Sequence, residues 1–178
     1  MYSDTHPVNV FQFCPRCGSD EFNRAGSRVK KCARCSFTYY FNTSAAAAAL
    51  IFDKKGRLLL TRRAIEPYFG KLDLPGGFIE PMETGEEAIS RELKEELGIE
   101  VQNIAYFCSF PNEYPFSELS VFTLDLAFSV TVDSPEKMKP MDDISAFEFY
   151  HPEEVNFGEI PSYSIRKIIE KVIRSRKR

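Results

Sequence analysis

The sequence predicts an α+β fold, a sheet sandwiched by helices, preceded by a small cysteine-bounded module. Three observations predict it. Four of the five cysteines fall in two CxxC pairs within residues 14–35. Apolar strand-like runs follow, but they do not alternate regularly with helices, which argues against a doubly wound sheet. Two helical patterns stand out, an acidic one near residue 90 and an apolar-periodic one at the C-terminal end.

The elements follow in chain order. Residues 1–13 read as a flexible lead-in, 14–41 as the cysteine module and 42–178 as the main domain. Ala45–Ala49 favours helix by propensity. The run continues into Leu50-Ile51-Phe52, turns at Asp53-Lys54-Lys55-Gly56 and resumes at Arg57–Thr61, so we read a β-hairpin. Pro75-Gly76-Gly77 breaks the chain. Thr84 with Glu87 forms a capping box, which starts a helix at about Gly85. Gly98 ends it after Leu97. Strands are expected at Ile99–Phe110, Leu119–Val132 and Ala146–Tyr150. Ile165, Ile168, Ile169, Val172 and Ile173 mark a closing amphipathic helix.

Charge is uneven. The whole chain carries only −3, no strong bias toward nucleic acid or membrane. Residues 77–99 hold seven Glu against Arg91 and Lys94, a net of −5. The last fourteen residues hold seven Lys or Arg against Glu170, a net of +6. That tail reads as a solvated helix end, with a nucleic-acid patch as the competing reading. No secretory leader is evident, and the longest apolar run, Ser44–Phe52, is too short to span a bilayer. Together with paired rather than scattered cysteines, this predicts a cytoplasmic protein with no membrane partner.

On the acidic helix, 100° per residue places Glu92, Glu95 and Glu96 within an arc of roughly 100°. Ile89, Leu93 and Leu97 form an adjoining apolar stripe. Three like charges on one face repel unless a cation sits among them, and hard Mg²⁺ or Mn²⁺ prefers such oxygen ligands. Gly76 and Gly77 let the backbone approach, so a carbonyl at Gly76 is a further ligand candidate. Arg91 is placed to orient a carboxylate or to pair with Glu83. An ordinary solvated acidic face is the alternative for the helix taken alone.

The larger pattern decides between them. Gly77, five residues, Glu83, seven residues, then Arg91-Glu92-Leu93-Lys94-Glu95-Glu96-Leu97-Gly98-Ile99 resembles the Nudix box at every defining position. Leu72–Glu80 resembles the usual entry into that box. The resemblance implies the Nudix fold, a mixed sheet between helices. It also implies metal-dependent hydrolysis of a nucleoside diphosphate linked to another group. By the family pattern Glu92, Glu95 and Glu96 are metal ligands, one of them or a distant carboxylate is the base, and Glu83 and Arg91 are structural or orienting.

Cys14-Pro15-Arg16-Cys17 and Cys32-Ala33-Arg34-Cys35 can place four thiolates tetrahedrally around structural Zn²⁺, as in a zinc ribbon. Disulfides or a redox CxxC are the alternatives. A closed site of this kind stabilises rather than catalyses. Residues 1–41 carry a net +3, so nucleic acid binding, a dimer brace and a wall of the active site all stay open as its role. Cys108 reads as a strand-core residue.

A zinc ribbon joined to a Nudix domain is similar to the NADH pyrophosphatase branch of the family. That branch carries Ser-Gln-Pro-Trp-Pro-Phe-Pro-x-Ser after the box. Here Ser109, Pro111, Pro115 and Ser117 match, Tyr114 keeps an aromatic, and Phe110, Asn112 and Glu113 depart. The resemblance implies that Phe78 stacks on a base or nicotinamide; Glu80, Phe110, Tyr114 and Ser117 are further candidate substrate contacts, and Tyr40, just after the ribbon, is placed either to face the pocket or to pack between domains. It places Asp143 at a distal catalytic acid. It further implies a homodimer acting on a small nucleotide such as NADH or ADP-ribose. Two other readings stand beside this one: a regulatory nucleotide-sensing domain, and an RNA cap-removing enzyme in which ribbon and basic tail grip RNA.

Overall fold

A computed structural model describes residues 3–132 and 135–177. Met1 and Tyr2 of the lead-in and Arg178 of the basic tail lie outside the described residues. The chain divides into two units, residues 1–43 with Glu113–Phe122, and Ser44–Asn112 with Thr123–Arg178.

In the first unit, one helical turn, α1 (Pro7–Val10), is capped by His6, whose Nδ1 accepts from the Val8 backbone N–H. Three strands follow, β1 (Phe22–Gly26), β2 (Val29–Cys32) and β3 (Thr38–Tyr40), antiparallel in that order. Their core is small: Cys14, Phe22 and Cys32, with Cys17, Cys35 and Phe37 packed against it. Within the lead-in, His6 and Val8 are buried, and Thr5 accepts at its carbonyl from the Ser120 N–H.

The second unit holds β4 (Ser44–Ile51), β5 (Leu58–Arg63), β6 (Leu72–Asp73), β7 (Gly76–Phe78) and α2 (Gly85–Leu97). It continues with β8 (Val101–Phe116), β9 (Leu119–Val132), β10 (Ile144–Tyr150) and α3 (Tyr163–Arg176), the tips of β8 and β9 grouping with the first unit. One sheet runs β7-β4-β9-β8 and another β10-β5-β6. β4 pairs parallel with β9 and antiparallel with β7, so the first sheet is mixed.

The alanine run is a strand, and its position explains why. With hydrogen-bonded neighbours on both edges, β4 has no free backbone to give to a helix. Both its faces are buried. Ala47, Ala49 and Ile51 pack with Ala88, Ile89, Leu93 and Leu97 of α2, whereas Ala48 and Leu50 pack with Ile165, Ile168, Ile169 and Val172 of α3. The sheet is therefore layered between helices, and methyl side chains let both come close. Full burial of a Leu or Ile contributes on the order of 1.5–3 kcal/mol, enough to override the helical preference of Ala.

The hairpin expectation requires correction. β4 and β5 do not pair as a ladder; they enter different sheets and share only the bridge Phe52↔Leu58. The turn itself is present. Asp53 accepts from the backbone N–H groups of Lys55 and Arg57 and pairs with the Arg57 guanidinium at 2.7 Å. The chain then diverges because β4 has both edges occupied by β7 and β9, and β5 has both edges occupied by β6 and β10. The strand expected at Ile99–Phe110 starts at Val101 and runs on through both prolines to Phe116. Ser117 and Glu118, both at positive φ, then form a tight two-residue turn into β9.

Candidate active site

α2 begins and ends where its caps direct. Thr84 Oγ1 accepts from the Glu87 N–H, and the Glu87 carboxylate accepts from the Thr84 N–H at 2.8 Å. Gly98, at φ 66°, terminates the helix. Beyond it, the N–H groups of Lys139 and Met141 donate to the carbonyls of Leu97 and Glu96, which carries residues 139–143 across the C-terminal end of α2.

The apolar stripe of α2 docks on the sheet and leaves the acidic face toward the Gly76–Phe78 strand. Glu96 is buried, and its Oε2 accepts from the Gly76 N–H at 2.9 Å. Burial pushes its carboxyl up to about 8, with repulsion from Glu92, Asp73 and Asp143 adding to the shift and the Gly76 N–H opposing it. Asp143 thus stands close enough to Glu96 for the two charges to act on each other. Glu92 is also raised by burial, even though Arg91 lies beside it.

Arg91 organises the remaining acids. Its Nε and Nη2 donate to both oxygens of Glu83, at 2.9 and 3.0 Å. Its Nη1 bridges Glu92 at 2.8 Å and Glu95 at 3.1 Å. Nη2 also donates to the carbonyl of Phe78. The pairing with Glu83 holds that carboxylate below its usual range, and the carboxylates together raise Arg91. Arg91 therefore both orients carboxylates and pairs with Glu83.

The loop is fitted to the helix. A Cβ on Gly76 would lie 2.1 Å from the Ala47 carbonyl oxygen, and φ is +134° there. A Cβ on Gly77 would lie 2.5 Å from Glu92 Oε1. Glycine is needed at the first for backbone pairing and at the second for the carboxylate.

Phe78 presents an exposed ring immediately after these glycines. Glu80 is exposed, and its N–H donates to Glu83 Oε2. Phe110 packs on the α3 side of the sheet, away from α2. Tyr40, Tyr114 and Ser117 belong to the first unit. Tyr40 is exposed beneath the Arg28 guanidinium, and Ser117 occupies the β8–β9 turn. Within the second unit, Gly76, Phe78, Glu83, Arg91, Glu92, Glu95, Glu96 and Asp143 are thus strung along the acidic side of α2, from Glu83 just before its N-cap to residues 139–143 at its C-terminal end.

Sequence reasoning missed two acids, the partly buried Asp73 and the buried Asp125. Asp73 pairs with Arg63 at 3.2 Å and is raised by burial. Asp125 on β9 is buried, accepts from the hydroxyls of Thr123 and Ser164, and is raised by burial. Asp125 stands in an alternating apolar strand, a signal that could have flagged it.

Among the described residues, the four sulfurs of Cys14, Cys17, Cys32 and Cys35 are the one set of potential metal-binding atoms lying within 4.8 Å of one another. Cys14–Cys35 and Cys17–Cys32 are each separated by 3.7 Å, too far for disulfides, and all are free. Backbone hydrogen bonding from Cys35 pulls the Cys32 thiol down to about 7, whereas Cys17, despite the backbone hydrogen bond from Ser19, is pushed up to about 12 by burial and by the neighbouring sulfurs. Four soft sulfurs converging on one point fit Zn²⁺. Cys108 is buried in the core of the second unit, where burial pushes its thiol up.

The NUDIX domain family model matches residues 42–172, and the chain belongs to the Nudix family. It is 31% identical over 120 residues to the NAD-capped RNA hydrolase NudC of Vibrio vulnificus, covering 67% of this chain and 45% of that one. It is 32% identical over 133 residues to the protein of that name from Deinococcus radiodurans, covering 72% and 46%. The chain thus spans about half the length of these relatives. In fold it resembles a MutT NUDIX hydrolase from Burkholderia pseudomallei, with a TM-score of 0.63 and 21% identity, over 74% of this chain and 99% of that one. No helix among the described residues is long and apolar enough to cross a membrane.

Proposed function

We propose that this chain is a metal-dependent pyrophosphohydrolase that cleaves the diphosphate of a dinucleotide or nucleotide sugar, such as NADH or ADP-ribose. The observation that carries the reading is the placement of Glu92, Glu95 and Glu96 on one face of α2, with Glu96 bonded to the Gly76 N–H and within electrostatic reach of Asp143. Arg91 reaches Glu92 and Glu95, whereas the buried Glu96 accepts from the Gly76 backbone N–H. All-oxygen donors around such an acid fit Mg²⁺ or Mn²⁺.

In this reading Glu92, Glu95 and Glu96 hold the metal, with the Gly76 carbonyl as a further ligand. A divalent cation held there would supply neutralising charge to the pyrophosphate and would lower the pKa of a water. Glu95, the most exposed of the three, or Asp143 accepts the water's proton. Arg91 fixes the carboxylates. Phe78 stacks on a substrate ring and Glu80 contacts substrate, whereas Tyr40, Tyr114 and Ser117 are the further candidate contacts and Phe110, on the α3 side of the sheet, is not counted among them. Residues 14–41 serve as a structural zinc ribbon before the Nudix domain at 42–178, and the enzyme works as a homodimer.

The names of the NudC relatives support a second form of the same substrate, a dinucleotide carried at the 5′ end of RNA. A substrate panel tests both forms: NADH, NAD⁺, ADP-ribose, a nucleoside triphosphate and NAD-capped RNA, each with Mg²⁺ or Mn²⁺ and with product masses read. Cleavage within the diphosphate, lost in Glu96→Gln, is expected. Normal turnover by Glu96→Gln would remove the metal-ligand assignment. Tight binding of these compounds without turnover would favour the regulatory reading.

A further inference from the structure

On the α3 side of the second unit, a groove of about 520 Å³ is lined by Phe110, Lys167, Lys171, Arg174 and Ser175. It contains none of the box residues. Lys167, Lys171 and Arg174 recur at helical spacing on α3, so their charges extend over roughly 10 Å of one helix face. Glu170 pairs with Lys167 at 3.0 Å and with Arg174 at 2.9 Å. Lys171 has no carboxylate partner among the described residues; its Nζ lies 5.6 Å from the Phe107 ring. Three cations against one acid leave the groove with two excess positive charges. Phe110 is half-buried and contributes an aromatic wall.

A basic groove with an aromatic wall suits one ligand chemistry, a phosphate joined to a planar ring. Its volume falls in the range of small-ligand sites. Cations that lack a full set of carboxylates favour phosphate oxygens, and an aromatic side chain offers a stacking face to any base. We propose that this groove is a second nucleotide-binding site, separate from the acidic helix, with Lys167, Lys171 and Arg174 on the phosphate and Phe110 against the base. The nucleotide is either free or one unit of a single-stranded RNA. The inference holds whether or not the acidic site is a hydrolase.

The test uses the 178-residue chain carrying Glu96→Gln, without added divalent metal. AMP binding is measured by calorimetry, and binding of a fluorescent ten-nucleotide RNA by anisotropy. Binding of at least one probe is expected, and the probe that binds identifies the source. Adding Lys171→Glu with Arg174→Glu should weaken it at least ~10-fold and make the RNA affinity less sensitive to salt. Lys137→Glu with Lys139→Glu, the same charge change on the α2 side of the sheet where Met138 packs with the α2 stripe, should leave it unchanged. Phe110→Leu should weaken it several-fold, and an unchanged affinity would remove the ring from the site. The proposal is overturned if neither probe binds, if Lys171→Glu with Arg174→Glu binds normally, or if the distant pair weakens binding equally. NADH turnover in the Glu96-intact protein should survive Lys171→Glu with Arg174→Glu, which separates this outcome from a failure of the hydrolase reading.

Discussion

The backbone N–H of Gly76 donates to Oε2 of Glu96 at 2.9 Å, and this contact joins the loop to the buried acid of α2. The acid's folded value of about 8 against an ordinary 4.5 sets a pH dependence. Between those values the folded chain keeps a proton that the unfolded chain has released. Stability therefore falls as pH rises through that window and levels off above it. Thermal midpoints measured without added divalent metal should decline from about pH 5 to about pH 8. Mg²⁺ should reduce the decline, because a cation beside Glu96 offsets the cost of ionising it. Glu96→Gln should flatten the profile; a slope unchanged in that variant would contradict the assignment.

Adjacent glycines should fail in different ways. Gly76→Ala puts a methyl against the Ala47 carbonyl at a φ of +134°. Neither the backbone nor the sheet can yield, so a loss of about 3 kcal/mol or more is expected. Gly77→Ala meets only the Glu92 carboxylate, the end of a flexible side chain. Its stability should stay near that of the parent, whereas kcat should drop at least ~10-fold as Glu92 is displaced. Urea unfolding and steady-state kinetics on the two variants read the difference. Equal stability losses would show that the two positions play one role.

Arg91→Lys tests whether shape or charge matters. Lysine keeps the positive charge but cannot grip both oxygens of Glu83 while reaching Glu92, Glu95 and the Phe78 carbonyl. We expect kcat to fall ~10–100-fold, with a smaller change in KM, as for other groups that orient metal ligands. Full activity in Arg91→Lys would reduce Arg91 to a counter-charge.

These features differ in how legible they were in the sequence. The limits of α2 were readable because Thr84, Glu87 and Gly98 act locally, within one turn of each end. The carboxylate face was readable because helical geometry converts spacing into direction. The path of β4 and β5 was not. Two apolar runs around an Asp-Gly turn specify a turn, but the partner of each strand is set by elements that come later, β6 and β7 and, far along the chain, β9 and β10. Arg91 illustrates the same limit. Its pairing with Glu83 was anticipated from the helix, whereas its bond to the Phe78 carbonyl depends on where β7 docks. Asp125 and Ser164 meet across 39 positions, and no local pattern reports such a pair.

The cysteine unit should depend on zinc for its fold. Its core comprises Cys14, Phe22 and Cys32 with Cys17, Cys35 and Phe37, so four of the six residues are the proposed ligands themselves. So few apolar side chains cannot offset the chain entropy of three short strands. Zinc binding would supply the difference, because the site forms only when those strands are in place. The purified protein should contain about one zinc per chain, and Cys32→Ser should contain far less. In an NMR spectrum of Cys32→Ser, the amides of residues 14–41 should collapse toward random-coil positions. Those of α2 should stay dispersed, since Leu93 and Leu97 belong to a core built within the second unit. Well-dispersed ribbon amides in zinc-free Cys32→Ser would show that the three strands hold without metal.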